Sequence, residues 1–216
     1  MERLLEQILK EKIIVIVRKS YGKSLLLLSE ALLAGGLHFM EVTFDQSDPL
    51  CIEKTAEAIR TLNHAHTGHM IFGAGTVLTI EQVEAAANAG ARFIVSPNCN
   101  PAIIRRTREL GLLSIPGAMT PTEILAAHDY GADLVKLFPA ASLGMSYIKD
   151  ILAPISHVKM IATAGVTEEN FGEFLSLGLA GAGIGGRLTD KKLIAAGDWA
   201  EFSRRAAAFL KIAQAY

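Results

Sequence analysis

Lys136 sits in Asp133-Leu134-Val135-Lys136-Leu137-Phe138-Pro139-Ala140, among apolar neighbours and with no solvent-facing stripe to account for a cation. In a dry pocket an ammonium loses its hydration, so its pKa falls and the neutral amine can add to a ketone. The alternative is a strand-end lysine that snorkels to solvent or pairs with an acid. Glu41, in Phe39-Met40-Glu41-Val42-Thr43-Phe44, is a second charge in a core-like run. There a carboxyl can carry the protons that a lysine-bound intermediate needs and that the lysine cannot move once it is an imine. A buried Glu–Lys ion pair kept for structure is the alternative. Arg18 closes the run from Ile14 and offers a planar fork suited to a carboxylate or phosphate. It can equally pair with an acid beside it, Glu41 or Asp45.

These residues need extended segments to position them, and eight short β-branched or apolar runs supply them: Ile13–Val17, Phe39–Thr43, Met70–Ala74, Arg92–Ser96, Leu112–Ile115, Asp133–Phe138, Val158–Thr163 and Ala180–Ile184. Alternation puts Ile14, Ile16 and Arg18 on one face of the first, Phe39, Glu41 and Thr43 on one face of the second, and Leu134, Lys136 and Phe138 on one face of the sixth. Helical stretches separate the runs. Thr79 with Gln82 and Thr120 with Glu123 have capping-box spacing, Pro101 and Pro121 suit first helical positions, and Gly35, Gly90, Gly111, Gly131 and Gly178 fall where helices should stop. Strict alternation of strand and helix predicts a parallel sheet, and eight such units predict an α/β fold closed as a (β/α)8 TIM barrel. An open doubly wound sheet is the other arrangement with this pattern. An extra N-terminal helix, with Leu4, Leu5, Ile8 and Leu9 on one face, should plug the barrel's N-terminal end. No linker or compositional break appears, which predicts a single barrel domain over residues 1–216.

Barrel chemistry gathers at the C-terminal strand ends, so the glycine-bearing loops there matter. Gly73-Ala74-Gly75-Thr76 follows the third run and puts a hydroxyl at the rim. Thr163-Ala164-Gly165 and Gly183-Ile184-Gly185-Gly186 follow the seventh and eighth, where backbone N–H groups of many barrels hold a phosphate; tight turns alone are the alternative. His64, His66 and His69 lie on the opposite, N-terminal side without carboxylate or thiol company, so no metal site is expected. Two cysteines in 216 residues make no disulfide framework, and no secretory or membrane-spanning run appears, so the chain is expected to be cytoplasmic. A net charge of −1 gives no field for nucleic acid or an anionic membrane. Half the residues are hydrophobic, enough to leave apolar surface for a partner subunit, so an oligomer is expected.

Taken together, Glu41-Val42-Thr43, Gly73-Ala74-Gly75-Thr76-Val77-Leu78, Ile94-Val95-Ser96-Pro97-Asn98, Ile115-Pro116-Gly117 and Val135-Lys136-Leu137-Phe138-Pro139-Ala140 resemble the 2-keto-3-deoxy-6-phosphogluconate/4-hydroxy-2-oxoglutarate aldolase family along the whole chain. The resemblance implies a class I aldolase that cleaves a 2-keto-3-deoxy (phospho)sugar acid or 4-hydroxy-2-oxoglutarate to pyruvate and an aldehyde. It implies that Lys136 forms the Schiff base and Glu41 is the acid/base. Thr76 would help hold the substrate carboxylate, and Pro97 and Phe138 would line the pocket. Thr163, Ala164, Gly165, Gly185 and Gly186 would receive the distal anion. It also implies a homotrimer working without cofactor or metal. Three positions depart from the family pattern: Asp45 stands where many members have an arginine that grips the pyruvyl carboxylate, Ala164 where a glycine is usual, and Arg187 where a serine is common. The phosphogalactonate branch also lacks that arginine. With the clamp missing, Arg18 is expected to hold the carboxylate. On the residues alone, two other readings stay open: a phosphosugar isomerase, epimerase or synthase using Glu41 and Lys136 without an imine, and a sugar-phosphate-binding barrel without activity.

Overall fold

The computed structural model describes residues 2–216. The chain runs α1 (Glu2–Glu11), β1 (Ile13–Val17), α2 (Gly22–Ala34), β2 (Phe39–Thr43), α3 (Cys51–Ala65), β3 (Ile71–Gly75), α4 (Ile80–Asn88), β4 (Phe93–Val95), α5 (Pro101–Glu109) and β5 (Leu113–Ile115). It continues with β6 (Gly117–Ala118), α6 (Pro121–Asp129), β7 (Val135–Leu137), α7 (Ala140–Leu143), α8 (Met145–Leu152), β8 (Met160–Thr163), α9 (Phe171–Ser176), β9 (Gly181–Ile184), α10 (Lys191–Ala196) and α11 (Trp199–Gln214).

All pairings in the sheet are parallel, in the order β5-β4-β3-β2-β1-β9-β8-β7-β6. The two ends of that order, β5 and β6, are consecutive in the chain and are parted only by Pro116, which has no N–H to continue a ladder. They form one interrupted fifth strand, and it closes the ring: Asp133 N donates to Ser114 O at 3.0 Å and Lys136 N to Pro116 O at 2.8 Å. Closure sets aside the doubly wound sheet. The eight expected runs are the eight barrel strands, with the proline break as the feature that run-counting did not show.

Two apolar layers result. The outer one lies between strands and helices, while the inner one joins Ile14, Phe39, Phe93, Val95, Leu113, Ile115, Leu134 and Ile161 to Leu4 and Ile8 of α1. The N-terminal helix is therefore the plug its pattern predicts, and each of its two buried side chains contributes about 1.5–3 kcal/mol by leaving water. Because Ile14, Phe39 and Leu134 belong to this inner layer, strand alternation turns Ile16, Glu41 and Lys136 inward as well. Thr120 and Glu123 form the expected reciprocal capping box. One stop signal moves by a residue: Gly35 keeps φ −82°, and Gly36 takes the left-handed turn at φ +90°. Among the described residues no helix is long and apolar enough to cross a membrane.

Candidate active site

Lys136 and Glu41 stand on β7 and β2, four strands apart whichever way the ring is followed, and so face each other across the barrel. They are 2% and 1% exposed. Among the described residues no ion pair joins them, which removes the purely structural Glu–Lys bridge. Burial pushes the Lys136 amine below the usual lysine value; the Glu41 charge opposes this and the Arg18 charge adds to it. Burial pushes the Glu41 carboxyl above the usual value, against the pull of Lys136 and Arg18. No protein group hydrogen-bonds to Glu41 Oε1. Burial thus weakens Lys136 as a base and Glu41 as an acid, the direction suited to addition of an amine to a carbonyl. Two neighbours shape it. The Lys136 Nζ lies 5.0 Å from the centre of the Phe138 ring, and a Cβ at Gly75 would overlap the Glu41 carboxylate. Only glycine at that point of the Gly-Ala-Gly-Thr segment lets Glu41 lie across β3.

At the rim, Arg18 donates from Nη1 to Thr76 Oγ1 at 3.4 Å. It pairs with neither of the acids considered for it. Asp45 instead bridges to Lys19 at 3.0 Å and accepts from the Ser47 hydroxyl at 2.7 Å and the Ser47 N–H at 3.2 Å. Those contacts hold the Asp45 carboxyl at about 2, so it is ionised and engaged away from Arg18. Thr76 adopts a left-handed conformation, φ +56°. Pro97 is brought beside the lysine strand: a Cβ on Gly117, the register partner of Lys136, would overlap the Pro97 carbonyl.

On the other flank Thr163 is buried with its hydroxyl unpartnered, and the chain then turns through Ala164 and Gly165, both left-handed at φ +75° and +73°. Gly185 and Gly186 border a cavity of about 330 Å³ together with Ile16, Arg18, Thr189, Asp190 and Lys191. Asp190 is occupied as the cap of α10, accepting from Lys192 N at 2.8 Å. Arg187, adjacent to Gly186, is tied to Glu168 at 2.8 Å. All the sequence-predicted residues therefore lie on the C-terminal side of the barrel or in its interior.

Sequence reasoning missed Gln46, Lys191 and the second role of Gln82. Gln82 does cap as expected through its backbone, which donates to Thr79 Oγ1 at 3.2 Å, but its side chain accepts from Leu78 N at 2.7 Å, not from the Thr79 N–H. Its amide nitrogen reaches Gln46, whose own amide donates to Thr76 O at 2.8 Å. Nothing in local spacing marks Gln46. Of the histidine group, His66 is buried against Ser29 Oγ at 2.7 Å, and among the described residues no three His, Cys, Asp or Glu side chains cluster for a metal.

Comparison with known proteins places the chain in a family. Over 204 residues, 94% of this chain and 93% of the relative, the sequence is 33% identical to the 2-dehydro-3-deoxy-phosphogluconate aldolase of Haemophilus influenzae. Over 165 residues, 76% of this chain and 78% of the relative, it is 38% identical to the 2-dehydro-3-deoxy-6-phosphogalactonate aldolase of Escherichia coli. The KDPG aldolase of Legionella pneumophila, solved with pyruvate captured at low pH as a covalent carbinolamine intermediate, superposes with a TM-score of 0.84 at 27% identity, covering 95% of this chain and 97% of the other. The family model for KDPG and KHG aldolase matches residues 5–205, and the chain belongs to that aldolase family.

Proposed function

We propose that residues 1–216 act as one barrel domain, a class I aldolase that cleaves a phosphorylated 2-keto-3-deoxy sugar acid to pyruvate and a phosphorylated aldehyde. The observation that carries this reading is the pair of buried, oppositely mounted and unbridged groups, Lys136 and Glu41. The neutral Lys136 amine adds to the C2 ketone, and the carbinolamine loses water to give an iminium ion. Glu41, holding its proton longer than an ordinary carboxyl, gives that proton to the departing hydroxyl. As a carboxylate it then takes the C4 hydroxyl proton, the C3–C4 bond breaks, and its electron pair passes into the iminium to form an enamine. Glu41 returns the proton to C3, and water releases pyruvate and the amine. The Legionella relative, with pyruvate held covalently, supports the covalent route.

In this reading Arg18 and the Thr76 hydroxyl hold the carboxylate, and Pro97 and Phe138 line the pocket. The phosphate takes the backbone of Ala164, Gly165, Gly185 and Gly186 beside Thr163 and Lys191. Support for a phosphate comes from the 330 Å³ cavity, where two cations border glycine backbone and the nearby aspartate is already engaged. The working form is a cytoplasmic homotrimer without cofactor.

Borohydride reduction with pyruvate, followed by peptide mapping, should place the adduct on Lys136. An adduct on another lysine removes Lys136 from the mechanism, and no adduct at all leaves an imine-free isomerase or a binding barrel. A cleavage assay on phosphorylated and unphosphorylated gluconate- and galactonate-derived acids then tests the substrate class. Equal kcat/KM with and without phosphate would overturn it.

A further inference from the structure

Two side chains hydrogen-bond to Thr76, at different atoms, and a third, Gln82 of α4, braces one of them. Arg18 reaches its hydroxyl. Gln46 does not: its Nε2 donates to the Thr76 carbonyl at 2.8 Å, and its Oε1 accepts from Gln82 Nε2 at 3.0 Å. Gln82, buried at the start of α4, accepts from the Leu78 N–H at 2.7 Å. The polarity of this relay is forced from one end. A backbone N–H can only donate, so Gln82 must turn its oxygen to Leu78 and its nitrogen to Gln46. Gln46 must then turn its oxygen to Gln82 and its nitrogen to Thr76. The next residue is fixed as well, since Val77 N donates to Val95 O at 3.2 Å and Ser96 Oγ donates to Val77 O at 2.8 Å. Thr76 therefore lies between two anchored segments at φ +56°, a conformation that a β-branched L-residue keeps only where its surroundings hold it.

We propose that Gln46 is a positioning residue for the carboxylate end of the site. Its amide holds the Thr76 backbone in the left-handed turn and so presents the Thr76 hydroxyl beside Arg18. It adjoins Asp45, which Lys19 and Ser47 hold at the rim, so this loop contributes to the carboxylate site through a neutral amide acting on β3. The proposal rests on the reading that Thr76 and Arg18 bind the pyruvyl carboxylate.

The test compares wild type with Gln46→Ala and Gln46→Glu in two measurements. Gln46 is exposed, so both variants should fold. The first measurement is amide hydrogen exchange over residues 76–78. The second is the rate of borohydride inactivation as a function of pyruvate concentration, which separates half-saturation from the maximal rate. With Gln46→Ala, which removes the bonds to Thr76 and from Gln82, exchange at Leu78 should quicken and half-saturating pyruvate should rise, each by roughly tenfold, while the maximal rate stays within about threefold. Gln46→Glu should match or exceed these effects, because a carboxylate still accepts from Gln82 but sets its negative charge against the Thr76 carbonyl oxygen. Unchanged exchange overturns the proposal, as does quickened exchange with wild-type half-saturation, or a loss confined to the maximal rate. If wild type itself is never trapped, the imine reading and the substrate half of the proposal fall together, and the exchange comparison alone decides whether Gln46 holds Thr76.

Discussion

Glu41 on β2 and Lys136 on β7 face each other from opposite walls of the barrel, both removed from water and not in an ion pair. Each charge acts on the other at a distance, holding Lys136 more basic and Glu41 more acidic than burial alone would leave them.

Lys136→Met should abolish trapping and turnover while keeping or raising stability. The folded lysine titrates below its unfolded value, so between the two pKa values the unfolded chain holds a proton that the native state lacks, and stability rises with pH there. Below that window the native state carries the full penalty of a buried ammonium. Urea unfolding should show a gain at neutral pH that vanishes above about 10.5. A destabilised variant would mean that the lysine is structural.

Glu41→Gln should keep borohydride trapping measurable and lower turnover by roughly a hundredfold or more, the usual effect of losing a general acid/base. Turnover near wild type would take Glu41 out of the proton transfers.

Arg18→Ala should lower kcat/KM by roughly tenfold to a hundredfold, the scale of one charge-assisted hydrogen bond. It should also displace the pH profile. Arg18 lowers the pKa of both Glu41 and Lys136, so its removal raises both, and the limbs of kcat/KM against pH should move to higher pH. A lower kcat/KM with an unmoved profile would place Arg18 outside the site's field.

Asp45→Ala should leave kcat/KM within about threefold, because the Asp45 carboxylate is engaged by Lys19 and Ser47, and surface pairs of this kind contribute little. If Asp45→Ala lowered kcat/KM while Arg18→Ala did not, the roles of the two would be reversed.

Ala164→Gly should raise stability by about 0.5–1 kcal/mol: relief of left-handed strain at φ +75° exceeds the added freedom of glycine in the unfolded chain. Thermal unfolding checks the sign, and a loss of stability would show that the turn is unstrained.

What the sequence determined by itself is whatever depends on short-range periodicity. Strand alternation is a property of five consecutive residues, so Glu41 and Lys136 could be turned to the same interior from Phe39–Thr43 and Leu134–Phe138 alone, and the helical spacing of Leu4, Leu5, Ile8 and Leu9 on one face marked the plug. Eight such runs with helices between them pointed to a closed barrel, and the tertiary structure set aside the open sheet. The rim was legible only in its residue types. Where Asp45 points was decided by Lys19, which arrives from the preceding strand's loop, and the partner of Arg187 was decided by Glu168. Gln82 looked like a capping residue from its spacing to Thr79, yet its side chain binds Leu78 and Gln46, the latter 36 positions earlier in the chain. Charged and amide side chains on loops have several partners within reach, and the choice among them is made by which segments the closed barrel brings together. That choice is tertiary, so neither Asp45's pairing nor the Gln46 relay has a signature in local sequence.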